Sequence, residues 1–219
     1  MSILFVLLMF LLILTVTYFR GRKELPAQPE AWAMPKAPRI EREYGFSIPQ
    51  GYSFHPGHTW VMREAGEDTR VGLDSFAANL LGKVEQIDVV GTNRWVRQGQ
   101  KIMTVKSGDV LVEMLSPIEG VITTLNRDVI DDPTLATRDP YKDGWIAMVK
   151  SPDFVINSKN LVQGPMVAPW MQNNVSRLNA MVTESGPMLA QDGGQPVSGV
   201  LSRVAADLRE KLIKEFFLN

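Results

Sequence analysis

Two alternating runs, KIMTVK and VLVEML, meet across Ser107, Gly108 and Asp109. That juxtaposition limits the chain more than any other. Alternation at period two marks strands with one buried face. Gly108 and Asp109 tolerate the unusual backbone angles of a tight turn, so the pair predicts a hairpin with an exposed tip. Similar short runs recur from about Tyr44 to Phe154, in VGLDSF, IDVVG and GVITTL, separated by glycine, proline and aspartate. SPIEG places Pro117 and Gly120 around a second turn. The stretch reads as mostly β with helical interruptions.

The flanks differ in character. From Ile3 to Phe19 every residue is apolar, threonine or tyrosine, and charge begins only at Arg20, Arg22 and Lys23. Such a run of about 17 residues lies at the short end of those that span a bilayer. It lacks the basic preface and small-residue cleavage site of a signal peptide. Residues 3–19 are therefore expected to contact the lipid bilayer as a retained single-pass transmembrane helix. The following basic residues put the rest on the cytoplasmic side. Residues 1–23 form this anchor and its basic flank. Residues 24–45, with Pro26, Pro29, Pro35 and Pro38, read as an extended tether. The β domain takes residues 46–154, and 155–219 form a loop and helical tail. In that tail Met171, Val175, Leu178 and Val182 recur at helical spacing, as do Leu201, Val204, Leu208, Leu212 and Phe216. The second stripe wants a partner, either this chain's own β domain, another subunit or a membrane surface.

With 219 residues there is room for one ordinary domain and extensions. A formal net charge of −1 gives no basic field for phosphates, so nucleic acid is a poor partner. The absence of cysteine removes disulfides, thiolate nucleophiles and thiolate metal sites. The only histidines, His55 and His58, supply two ligands of an HxxH spacing and no third. Asp131, Asp132, Asp139 and Asp143 lack the pattern of a calcium loop and suit caps and turns. No phosphate-cradling glycine loop or nucleophile elbow is present. Hence no metal, no catalytic residue, no small-molecule substrate and no enzyme activity are expected.

Several elements together resemble the H-protein of the glycine cleavage system, over roughly Phe46 to Asp153. His58-Thr59-Trp60 stand where that family has a His-Glu-Trp run. Val71-Gly72-Leu73 with Ala77, Leu80 and Gly82 resemble its strand-then-helix segment. Ser116, Pro117 and Gly120 match the turn after its lipoyl hairpin, and DDPTLATRDPYKDGW, from Asp131 to Trp145, resembles the family's segment after that turn. The resemblance implies a hybrid β-barrel of the biotinyl/lipoyl type. It also implies a function: H-proteins bear lipoate on a hairpin lysine and use it as a swinging arm for an aminomethyl group. In the family that lysine lies seven residues before the serine of the Ser-Pro turn and ten after a glycine. Counting from Ser116 and from Gly99 both give Asp109.

A carboxylate cannot form the amide. The resemblance, so modified, implies a non-catalytic accessory subunit without lipoate, docking other subunits of a membrane-bound, respiratory or electron-transfer complex. Two alternatives stand beside it. Lys106 is the attachment lysine of a working lipoyl carrier in glycine cleavage or lipoate relay, or the domain is a decoy for enzymes that handle H-proteins. Trp32 and Trp170, outside the β domain, and the stripe Leu201, Val204, Leu208, Leu212 and Phe216 are the expected partner contacts.

Overall fold

The computed structural model describes residues 2–21, 40–43, 45–184 and 198–218. It divides into two units, Met1–Pro38 and Arg39–Asn219. In the first, α1 (Ser2–Gly21) is a single helix, with the described side chains from Phe5 to Thr15 exposed. Among the described residues no helix is long and apolar enough to cross a membrane. The expected membrane span and the single-pass, cytoplasmic-side localisation are corrected accordingly. Arg22, Lys23 and residues 24–39 of the tether, with Trp32, lie outside the described residues, while Ile40–Glu43 of the expected tether form a strand.

The second unit begins with a small hairpin, β1 (Ile40–Glu43) and β2 (Phe46–Pro49). Next come β3 (Tyr52–Phe54), β4 (Thr59–Arg63) and β5 (Asp68–Leu73), then α2 (Ser75–Leu81). The strands β6 (Gln86–Val89), β7 (Trp95–Val96), β8 (Lys101–Ser107), β9 (Val110–Leu115) and β10 (Gly120–Leu125) follow. The short helices α3 (Arg127–Asp131) and α4 (Leu135–Arg138) lead to β11 (Ala147–Lys150), α5 (Phe154–Asn157) and β12 (Val162–Gln163). The last helices are α6 (Val167–Glu184), α7 (Val200–Arg203) and α8 (Ala206–Phe217).

A seven-stranded sheet runs β12-β3-β4-β5-β11-β10-β7, and a three-stranded sheet runs β6-β8-β9. Every pairing is antiparallel. One core joins the sheets, with Val61 and Val71 of the larger packed in the same cluster as Val105 and Val112 of the smaller. The Thr59 hydroxyl, donating to the Leu115 carbonyl at 2.8 Å, ties them at one edge. The expected mainly β, lipoyl-type fold is the fold observed.

Helix α2 plugs this barrel. Asp74 caps its N-terminus by accepting the Ala77 amide at 2.8 Å, the ordinary role of an aspartate before a first turn. Phe76, Ala77, Ala78, Leu80 and Leu81 are all buried. A helix apolar on nearly every side survives in water only when enclosed, and α4, α7 and β2 pack against it. A second cluster gathers Tyr52, Phe54, Trp60, Tyr141 and Val167. Its polar tips find carbonyl partners: Tyr52 donates to Tyr141 at 2.7 Å, and Trp60 Nε1 to Pro140 at 3.1 Å. Gly72 admits the Trp60 ring, since a Cβ there would come within 2.6 Å of the indole.

The tail folds back on its own domain. Met171, Val175, Leu178 and Val182 of α6, Leu201 of α7, Val204, and Leu212 and Phe216 of α8 all join the main core. The C-terminal stripe is thus covered within this chain.

Candidate carrier hairpin

The hairpin of β8 and β9 turns through Gly108 and Asp109, because Ser107 pairs with Val110 and Lys106 with Leu111. Gly108 has φ +60° and Asp109 is not among the residues with positive φ. Glycine first, with only that position left-handed, is the pattern of a II′ hairpin turn. A Cβ on Gly108 would meet nothing within 4 Å, so that side of the turn is open.

Alternation sorts the hairpin into an anchored and a free face. Val105, Val110, Val112 and Met114 point into the core. A register shift between Lys101 and Met103 lets Ile102 and Met103 both face inward, as a bulge does. Ser107 is buried and its hydroxyl donates to the Leu81 carbonyl at 2.8 Å, fastening the hairpin end to α2. Lys106, Leu111 and Glu113 face outward, and Leu111 is 62% exposed. Register sets Gln86, Lys106 and Leu111 in one row across the three strands, and Asp88, Thr104 and Glu113 in the next.

Charges on this face are mostly spoken for. Lys101 Nζ lies 2.8 Å from Glu113, and Gln86 donates to Asp88 at 2.9 Å. Asp109 meets Arg209 Nη1 of α8 at 2.9 Å. The hydrogen bond from Arg209 holds the Asp109 carboxyl below the usual carboxylate range. Among the described residues no carboxylate lies within ion-pair distance of Lys106.

The other candidates fall elsewhere. His58 is fully buried, with Nδ1 2.7 Å from the Asp74 carboxylate. It adopts φ +61°, uncommon for a residue with a side chain. Its ring is stacked between Phe76, at 4.3 Å, and Trp170, at 4.9 Å, with Phe216 and Phe217 beside it. His55 accepts the Gly57 amide; burial, with His58 nearby, lowers its pKa from 6.5 to about 4. Trp170 is therefore placed against this chain's own His58 and Phe54. Asp132 caps the turn at Thr134. Among the described residues no three metal-ligating side chains gather.

Sequence reasoning passed over Asp74 and Arg209. The first was legible as an aspartate opening the helix Ser75–Leu81; the second had no local signal, because its partner is distant in sequence.

The glycine cleavage H-protein family matches residues 52–174, more than half the chain. The chain belongs to the glycine cleavage H-protein family. The glycine cleavage system H protein of Bifidobacterium longum (strain NCC 2705) is 30% identical over 113 residues, covering 52% of this chain and 82% of that protein. That of Aliivibrio salmonicida (strain LFI1238) is 37% identical over 101 residues, covering 46% and 79%. The crystal structure of a glycine cleavage system H protein from Mycobacterium marinum is similar at 24% identity and TM-score 0.48, covering 58% of this chain and 98% of that one.

Family membership agrees with a protein that is not an enzyme, and it overturns two expectations drawn from Asp109. An accessory docking subunit of a membrane-bound, respiratory or electron-transfer complex is not what these H-protein relatives describe. Nor does a chain without lipoate fit a family of lipoyl carriers. Both expectations rested on the single residue at the tip, Asp109. The matched region ends at residue 174, so α7 and α8 lie beyond it.

Proposed function

We propose that this H-protein-family chain is a lipoyl carrier of the glycine cleavage type, with Lys106 as its attachment amine. Asp109 stands at the position where spacing from Ser116 and Gly99 puts the family's lysine, and a carboxylate there cannot form the amide. The observation that carries the reading is Lys106 itself: an exposed lysine two residues before the turn, on the central strand of a rigid sheet, with no carboxylate in ion-pair distance among the described residues. Lys101, on the same strand, is engaged by Glu113 and is the weaker candidate. Leu111 directly across from Lys106 offers apolar surface against which a hydrocarbon arm can lie.

The fit is that of a tether. Lipoate, when attached, would supply a mobile dithiolane whose disulfide can take up a one-carbon amine fragment and, on delivering it, is left as the dithiol. This chain's part is to present the arm and hold its root still. Val105 and Val112 in the core, and Ser107 on Leu81, fix the root, while the outward face leaves the arm free to reach the other proteins of a glycine cleavage system.

The test is the intact mass of protein purified from its native source, with peptide mapping. One lipoyl addition on Lys106 is expected, lost in Lys106→Arg and retained in Lys101→Arg. An unmodified mass, or an addition on another lysine, overturns the assignment.

A further inference from the structure

We propose that Arg209 is a positioning residue for this carrier: by drawing the Asp109 carboxylate onto α8, it keeps that carboxylate off Lys106 and leaves the lysine amine free to be acylated. The inference rests on Lys106 as attachment site. It concerns a contact made by a helix beyond the family-matched residues.

Lys106 and Asp109 flank the same turn. A lysine ammonium rides on four flexible carbons, so an acid three residues away at the tip is the natural partner for it. The structure gives that acid to another cation. Arg209 Nη1 meets Asp109 at 2.9 Å while its Nε donates to the Leu201 carbonyl at 2.8 Å. The guanidinium is thus oriented by α7 on one side before it takes the carboxylate on the other. A planar fork of fixed donors suits this double duty, which a lysine head cannot duplicate with the same geometry.

Other acids on this face also have hydrogen-bond partners. On the face that bears Lys106, Asp88 accepts from Gln86 and Glu113 pairs with Lys101. Glu85, whose amide donates to the Lys106 carbonyl, precedes β6, and its side chain makes no ion pair among the described residues. Asp109 is the acid whose release would matter most, being part of the turn itself.

The chemical consequence concerns the lysine lone pair. A nearby carboxylate favours the ammonium, and only the neutral amine attacks a carbonyl. In attachment, Nζ adds to the carbonyl carbon of an activated acyl donor of the acyl-adenylate class. The carbon–nitrogen bond forms, the carbon–oxygen bond to phosphate breaks, AMP leaves with the electron pair, and one proton passes from nitrogen to solvent. No oxidant or reductant is involved.

The experiment uses the full chain and acetic anhydride as acylating probe, with the rate at Lys106 read by mass spectrometry against Lys83, an exposed lysine of the same molecule. Arg209→Ala is expected to lower the Lys106/Lys83 ratio about threefold at neutral pH. Arg209→Lys, whose ammonium cannot hold the Leu201 carbonyl and the Asp109 carboxylate in the same geometry, is expected to lower the ratio as well. The variant carrying both Arg209→Ala and Asp109→Asn restores it, although it lacks the same α8 contact; this separates charge release from any loosening of the helix. An unchanged ratio in Arg209→Ala, or a fall that Asp109→Asn does not restore, overturns the proposal. The lipoyl mass of the wild-type chain is read separately. Its absence from Lys106 overturns the attachment site and leaves the acylation ratios to report on Arg209 alone.

Discussion

Helix α8 and the turn before α2 each help hold an aspartate, and the two aspartates live in opposite surroundings. Asp74 is fully buried, meets His58 at 2.7 Å and caps α2. Asp109 meets Arg209 at 2.9 Å, yet its side chain is 74% exposed. Similar distances conceal different weights. Removing one partner from a buried pair strands the other without water, whereas an exposed pair is screened and its members are readily resolvated. The first contact builds the barrel; the second steers a charge at its rim. Phe216 and Phe217, beside the His58 ring, and Arg209 all come from α8, so one helix serves both.

The contrast breaks most readily at the buried end. Asp74→Ala is expected to cost about 3–5 kcal/mol, since it leaves His58 without its partner and α2 without its cap; denaturant unfolding measures it, and a loss near zero would erase the distinction. Phe216→Ala comes next, at about 3 kcal/mol. Hydrogen exchange should show the loss spreading from α8 to the amides around His58, rather than remaining in the tail.

His55 sharpens the comparison through pH. Its pKa falls from 6.5 to about 4 on folding, so between those values the unfolded chain binds more protons than the folded one. Its contribution is complete above pH 6.5 and declines as pH falls toward 4, by about 3 kcal/mol. His55→Asn, which keeps an acceptor for the Gly57 amide, should flatten that part of the stability–pH curve. The smallest effect is expected at the rim: Asp109→Asn should leave the unfolding midpoint unchanged within error at neutral pH. The Asp109 carboxyl lies below its usual range in the folded chain, so whatever it contributes is present above that range and disappears in acid. A large loss of stability in Asp109→Asn would show that the tip pair is structural after all.

Much of the barrel was legible in the sequence, and for local reasons. The hairpin is written in period-two alternation and in Gly108-Asp109; the tail helices are written in their stripes. Chemistry at the hairpin was less legible. The count to Asp109 located the tip, but residue identity at one place was taken as the loss of a whole function, when Lys106 stands exposed on the adjoining strand. Trp170 was expected to meet a partner because it lies outside the β domain; stacking on His58 is a contact between distant segments that no window of sequence displays. The same holds for Arg209 and Asp109. For α1, the apolar run gave the helix, while its environment required more than apolarity to decide.

The amide of Gly199 donates to the Asn79 carbonyl at 2.7 Å, and a Cβ on Gly82 would strike the Gly199 backbone. The last turn of an early helix is thus finished by a residue from far downstream. During synthesis on the ribosome, strands and plug emerge well before the segment that closes them. Until that segment leaves the exit tunnel, the carbonyl waits on solvent and the socket for Phe216 lies open. Completion of the barrel is therefore a late event of translation, and a chain stalled before α8 would expose the very apolar surface that chaperones bind.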